Sequence, residues 1–210
     1  LRVQRIAVHP QVQRTGIGRR LLQVAAAWAS ERRFDLLGCA YGVDLYLLAF
    51  WQSAGFVAVR LGVRLDPASA AHSLFMLRGL SAAGRELTLC GQQDFRNSLP
   101  WSLAASLSDL DSRLAARLLI GRDCGDLILS AADRHALDAV AAGTRQPATA
   151  EAAVWKFLVQ TAAGAGETAD RLAPLLAWRL QGRVSRDVCS EFSIAGRKAL
   201  EGRLRALLSG

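Results

Sequence analysis

The 210-residue sequence predicts an α/β domain over residues 1–80 followed by an all-α domain over residues 81–210. Three observations carry this. An apolar run at residues 2–9 leads through Pro10 into a turn containing Gly16 and Gly18, and then into an amphipathic stretch. Residues 36–59 are apolar apart from Asp44, Gln52 and Ser53, yet glycines at 38, 42 and 55 cut them into strand, helix and strand lengths. After Ser81-Ala82-Ala83-Gly84 no strand pattern persists and helical periods dominate.

Taken in order, residues 2–9 read as a first strand. Residues 16–33 read as a helix with Ile17, Leu21, Leu22, Val24, Ala25 and Trp28 on or near one face and Arg19, Arg20, Glu31 and Arg32 elsewhere. Asp35 to Tyr41 is a second strand, its apolar run expecting cover on both sides. Asp44 is placed to cap a short helix ending near Ala54, with Gly55 supplying the left-handed residue beyond it. Phe56 to Leu65 and Ser73 to Leu80 are the third and fourth strands. The later helices are expected near 101–120, 130–142, 150–163, 168–181 and 186–208, with Ser130 and Thr149 as N-caps and Asp170 in a first turn. Glycine punctuation makes residues 36–59 a buried strand, helix and strand, not a membrane span. The chain begins with Leu1 directly at a strand, as expected of a piece of a longer protein.

Composition bounds the chemistry. A 51% hydrophobic content fills real cores, which excludes a disordered chain. The formal charge is +8, and the excess is concentrated: residues 1–80 hold ten arginines and four acids, the remainder sixteen Lys/Arg and fourteen acids. That balance suits an anionic partner, a phosphorylated cofactor, RNA or both; arginine-rich usage is also what a GC-rich genome produces. Cys39, Cys90, Cys124 and Cys189 lie far apart, with neither C-x-x-C nor a zinc-like His spacing. The expectation is buried free thiols in a reducing cytoplasm, with no metal and no disulfide framework. His72 and His135 are expected at the surface.

The segment Gln13-Arg14-Thr15-Gly16-Ile17-Gly18-Arg19-Arg20 has the makings of a pyrophosphate cradle. Gly16 and Gly18 remove Cβ atoms from the backbone, and the amides of residues 14–19 point at whatever sits above the helix start. The helix dipole and Arg14, Arg19 and Arg20 favour two phosphates there. The loop lacks the terminal Lys-Ser/Thr of a P-loop, and Pro10 ends the strand well before the glycines, unlike a Rossmann turn.

Val8-His9-Pro10 followed by Gln13-x-x-Gly16-x-Gly18 resembles motif A of the GNAT N-acetyltransferases, whose loop holds the pyrophosphate of coenzyme A. Phe50-Trp51-Gln52-Ser53-Ala54-Gly55-Phe56 resembles their motif B, with Trp51 where that family usually has a Tyr that protonates the leaving thiolate. An indole N–H is a donor and not a usable acid; Trp51 reads equally as a core aromatic. The strand-helix order then corresponds to the C-terminal half of a GNAT fold, a mixed sheet with helices, its earlier strands lying outside this sequence.

Extended through Val57-Ala58-Val59-Arg60-Leu61-Gly62, Ala68-Ser69 and Phe75-Met76-Leu77, the likeness narrows. Most of residues 1–80 resembles the bacterial tRNA(Met) cytidine acetyltransferases, and Asp94-Phe95-Arg96, Leu99-Pro100 and Gly196-Arg197-Lys198 resemble their tail more loosely. The resemblance implies acetyl-CoA-dependent acetylation of the wobble cytidine N4 in elongator tRNA(Met), in the cytoplasm, with ATP hydrolysed by a module upstream of these residues. It places acetyl-CoA on Ile6, Ala7 and Val8 and on the loop Gln13, Arg14, Thr15, Gly16, Ile17, Gly18 and Arg19, with backbone amides near Val8 polarising the thioester carbonyl. Two further family contacts, a Glu and an Arg, fall on Tyr46 and Ser53 and do not match; Asp44, Arg60 and Arg64 are the nearest charged substitutes. His9, following the strand, is a candidate general base or a solvated turn residue. Arg197, Lys198 and Arg203, with Arg179, Arg183, Arg186 and Arg205, form either an RNA phosphate stripe or a solvated face interleaved with Asp187, Glu191 and Glu201. A GNAT acting on a protein or small amine and a non-catalytic RNA-binding module stay open beside this reading.

Overall fold

Four strands form a mixed sheet in the order β1-β2-β4-β3: β1 (Arg2–Val3), β2 (Leu36–Gly42), β3 (Val57–Leu65) and β4 (His72–Gly79). The computed structural model describes every residue except Ala68, which takes part of the Ala68-Ser69 resemblance outside the described residues, and describes Glu167 by its backbone only. β1 runs parallel to β2, with Arg2 opposite Gly38 and Val3 opposite Cys39. β4 pairs antiparallel with β2 on one side and β3 on the other. Helix α1 (Ile17–Glu31) connects β1 to β2, and α2 (Leu45–Ser53) connects β2 to β3. Residues 36–65 thus form a strand, a helix and a strand, and no helix of the described residues is long and apolar enough to cross a membrane.

The expected first strand is shorter than its apolar pattern. Pairing stops at Val3, and residues 4–9 leave the ladder. β2 itself continues past Cys39, the partner of Val3, to Gly42, so it is the first strand that departs and leaves that edge of β2 uncovered by backbone pairing. Asp44 caps that helix as expected, its carboxylate accepting from the Leu47 amide at 2.7 Å, and Gly55 adopts φ +82° beyond the last turn.

Helix α1 buries a different line from the one its larger side chains suggest. Leu22, Ala26 and Ala29 are inward, while Ile17, Leu21, Val24 and Trp28 are exposed. The apolar arc of this helix is wider than the arc that packs, and the small alanines take the packed side. Trp51 lies in the core, 5% exposed, stacked on Tyr41 at 5.7 Å and edge-on to Phe56 at 4.9 Å. His72, expected at the surface, is buried, with Nδ1 2.8 Å from the Gly62 carbonyl oxygen. The thiols divide: Cys39 and Cys189 are buried, Cys124 half-buried and Cys90 exposed. Burial pushes the Cys39 thiol up to about 12.

The chain divides into two compact units, Leu1–Phe95 and Arg96–Gly210, the first reaching past Leu80. The reason is helix α3 (Ala82–Ala105), which the glycine at 84 and Pro100 disguise in the sequence. Gly84 is inside its first turn, where an added Cβ would fall 1.9 Å from the Asp35 carbonyl oxygen. The first half of α3 therefore belongs with the sheet.

The second unit, Arg96–Gly210, is all-helical: α4 (Ser112–Leu119), α5 (Ala131–Ala141), α6 (Glu151–Gly164), α7 (Ala173–Arg179), α8 (Ser185–Glu191) and α9 (Arg197–Leu208). Its core holds Leu114, Leu118 and Leu119 of α4, Val154 and Leu158 of α6, and Leu200 and Leu204 of α9. Three expected helices are broken. The span 101–120 is interrupted where Asp111 caps α4, accepting from Arg113 at 2.7 Å. The span 168–181 begins as a 3-10 helix, Gly166–Leu172, before α7. The span 186–208 is split by Ser193 and Gly196, both at positive φ. Ser130 caps α5 in a reciprocal capping box with Asp133. Thr149 caps nothing; it sits in the 3-10 turn Pro147–Ala150 and donates to the Gln146 carbonyl at 2.9 Å. Asp170 lies in the 3-10 segment, not an α-helical first turn, and accepts two bonds from Arg117 at 2.8 and 2.9 Å. That pairing holds its carboxyl below the usual carboxylate range.

Candidate functional site

Where β1 leaves the sheet, a groove of about 350 Å³ opens. One wall is the irregular segment, contributing Ile6, Ala7 and Val8. Another is the glycine loop and the start of α1, contributing Gln13, Arg14, Gly16, Gly18 and Arg19. Helix α2 supplies the rest through Tyr46, Leu47, Phe50 and Ser53. The volume is within the range of small-molecule sites.

The loop is held by its own side chains. Gln13 Nε2 donates to the Val8 carbonyl at 3.0 Å, tying loop to strand end, and Thr15 Oγ1 donates to the Val12 carbonyl at 2.7 Å. Arg14 and Gly16 both have left-handed backbones, φ +62° and +88°. Gly16 is the N-cap of α1 and supplies no side-chain cap, while the first helical bond runs from the Arg20 amide to the Gly16 carbonyl. The amides of Ile17, Gly18 and Arg19 therefore precede the ladder with the positive end of a 15-residue helix behind them. A Cβ on Gly16 would meet nothing within 4 Å, so the space above these amides is open. Among the described residues the amides of Ile6, Ala7 and Val8 also lack a backbone partner.

Arg14 and Arg19 make the groove cationic, and among the described residues no carboxylate lines it. Free amides, two guanidinium groups and open space together suit a diphosphate-bearing ligand. Apolar lining from Ile6, Val8, Leu47 and Phe50 suits the uncharged length of such a ligand.

Of the ten residues expected to hold the cofactor, eight line the groove; Thr15 and Ile17 do not. Thr15 spends its hydroxyl on the loop, and the Ile17 side chain is exposed. Arg20 is likewise outside the lining. His9 heads the 3-10 turn Pro10–Val12, its Nδ1 accepting from the Gln11 amide at 3.4 Å, and does not line the groove. Tyr46 and Ser53, the two positions where the resemblance failed, both line it, whereas Asp44, Arg60 and Arg64 do not. Asp44 is committed to capping α2. Leu47 and Phe50 were missed, although α2 periodicity carries the signal: Tyr46, Phe50 and Ser53 recur at i, i+4 and i+7, opposite Leu48 and Trp51 in the core.

In the helical unit the basic stripe is mostly paired. Arg179 bonds Glu151, Arg183 bonds Glu191, and Arg197 bonds Glu201 at 2.9 Å. Arg186 is 3.8 Å from Asp187, and Arg205 is 3.9 Å from Glu201. Lys198 and Arg203 are exposed on α9, in none of the ion pairs among the described residues.

Comparison with known proteins bears on the same residues. Residues 1–58 match the family model of the acetyltransferase (GNAT) domain. Across 99% of its length the chain is 34% identical to the tRNA(Met) cytidine acetyltransferase TmcA of Nitrosococcus halophilus. It is 31% identical, over 97% of its length, to the proteins of that name from Pectobacterium atrosepticum and Vibrio cholerae. The chain spans only 27–28% of the length of these relatives.

Proposed function

The chain belongs to the tRNA(Met) cytidine acetyltransferase family, and from that membership we propose that it is the acetyl-CoA-binding and tail portion of an enzyme that acetylates cytidine N4 in elongator tRNA(Met) in the cytoplasm. GNAT domains use acetyl-CoA in general. The observation that carries the reading here is the groove: eight expected cofactor residues line one open, cationic space over uncapped amides.

Bound acetyl-CoA supplies an acetyl group activated as a thioester. The α1 amides with Arg14 and Arg19 hold its diphosphate. The amides of Ile6 to Val8, which have no backbone partner among the described residues and belong to residues lining the groove, would polarise the thioester carbonyl. A cytidine N4 amine is neutral at pH 7, so no base is needed to unmask it. One proton must still leave the nitrogen as the tetrahedral intermediate forms and one must reach the departing thiolate, and none of the described residues lining the groove is a carboxylate or a histidine. Trp51, buried in the core, takes no part in proton transfer. Lys198 and Arg203, with Arg197 beside them, offer the exposed charge for tRNA phosphates.

The test is calorimetric titration of the chain with acetyl-CoA, then assay of N4-acetylcytidine in tRNA(Met) with the full-length enzyme and ATP. Binding is expected to be lost in Gly16→Arg, whose side chain enters the open space above the amides. Undiminished binding by that variant removes the loop assignment. Cofactor binding with no cytidine acetylation favours a GNAT for another amine, and absence of binding favours a non-catalytic RNA-binding module.

A further inference from the structure

Among the described residues the groove lining holds two guanidinium groups and no carboxylate, so no ion pair from that lining orders Arg14. Nor does Arg14 take part in any ion pair among the described residues. Two other things fix it. At its root the backbone is left-handed, φ +62°, between neighbours that are each pinned by a side-chain bond, Gln13 to Val8 and Thr15 to Val12. At its tip the guanidinium carbon lies 5.8 Å from the centre of the Tyr46 ring, within the reach of a cation–π contact.

Tyr46 is in the first turn of α2, whose start is held by the Asp44 cap. Its side chain is not core: the residue is 57% exposed. The ring thus faces the groove, with the guanidinium of Arg14 reaching toward it from the opposite wall. An aromatic face differs from a carboxylate in this place. It orders the guanidinium without neutralising it and leaves its N–H donors free for phosphate oxygens. Ordering before binding also removes part of the rotamer entropy that Arg14 would lose on capturing an anion.

We propose that Tyr46 is a positioning residue for the cofactor's diphosphate: its ring holds Arg14 across the groove, ordered and fully charged, for the phosphoanhydride. This deepens the reading of the groove as an acetyl-CoA site and rests on it.

The experiment is calorimetric titration of the 210-residue chain and of Tyr46→Phe, Tyr46→Leu, Arg14→Ala and the Tyr46→Leu/Arg14→Ala pair, with acetyl-CoA and with 3′-dephospho-acetyl-CoA. Tyr46→Phe keeps the ring and is expected to bind as the parent does. Tyr46→Leu is expected to weaken binding about two- to fivefold, the worth of an exposed cation–π contact. Arg14→Ala weakens it further, and adding Tyr46→Leu to Arg14→Ala costs nothing more. The same pattern with the dephospho ligand assigns the effect to the diphosphate. The proposal is overturned by unchanged affinity in Tyr46→Leu, by equal losses in Phe and Leu, by additivity in the pair, or by a loss confined to the 3′-phosphorylated ligand. A parent chain that binds neither ligand overturns the cofactor-site reading itself.

Discussion

Gly18 lies against the ring of Phe50: a Cβ at Gly18 would stand 3.0 Å from Phe50 Cε2 and 3.6 Å from Val8 Cγ2. Both neighbours line the groove, so the second glycine of the loop sets how close α1 and α2 approach at its floor. Its glycine identity comes from this packing, whereas that of Gly16 comes from a left-handed backbone under open space.

Gly18→Ala is therefore expected to push the Phe50 ring into the groove by a few tenths of an ångström. Helix propensity gains up to about 1 kcal/mol from the exchange, so melting changes little while acetyl-CoA affinity falls. Phe50→Leu in the same chain relieves the clash and recovers affinity. An unshifted affinity for Gly18→Ala with intact melting would remove Phe50 from the groove floor.

Gly84 tells a stronger steric story. Its absent Cβ would lie 1.9 Å from the Asp35 carbonyl oxygen, a backbone atom that has no rotamer by which to escape. Gly84→Ala should destabilise the first unit by about 3 kcal/mol, the upper end of ordinary overpacking. Urea denaturation measures it; a loss below about 1 kcal/mol contradicts this close approach.

Asp133 supplies a pH-dependent contribution. Its carboxylate accepts from Lys156 at 2.9 Å and from the Ser130 amide and hydroxyl at 3.0 Å. Lys156 first and then Ser130 hold its carboxyl down to about 2, against an ordinary value of 3.8. The folded value is the lower one, so the contribution is complete above the ordinary value and fades as pH falls from about 4 to about 2. Asp133→Asn should be less stable than the parent at pH 7, with the gap closing over that window. A gap independent of pH refutes the linkage.

On α9, Lys198→Ala and Arg203→Ala are each expected to weaken tRNA binding and to flatten its logarithmic salt slope by about 0.7–0.9, one phosphate contact. Arg179→Ala and Arg183→Ala should instead lower the melting temperature, because those groups bond Glu151 and Glu191. Filter binding across a salt series distinguishes the two sets. Equal slopes for the parent and the α9 variants return that face to solvent.

Local chemistry alone determined a good part of this protein. The Asp44 cap, the left-handed Gly55, the Ser130 capping box and the strand-helix-strand division of residues 36–65 are each decided within a few residues of chain. The glycine loop and its amides belong to the same class, which is why most of the groove was legible before any folding was considered. Tertiary structure decided what depends on distant partners. β1 leaves the ladder at Val3 although β2 continues to Gly42, and α1 turns its alanines inward because a helix can bury only one arc. Trp51 enters the core while Phe50, its neighbour, lines the groove, and Arg179 and Arg183 are drawn onto Glu151 of α6 and Glu191 of α8. Helix caps and turns are satisfied by adjacent backbone groups, so sequence suffices for them; burial, pairing and the aim of a side chain are settled only when remote segments compete for the same space.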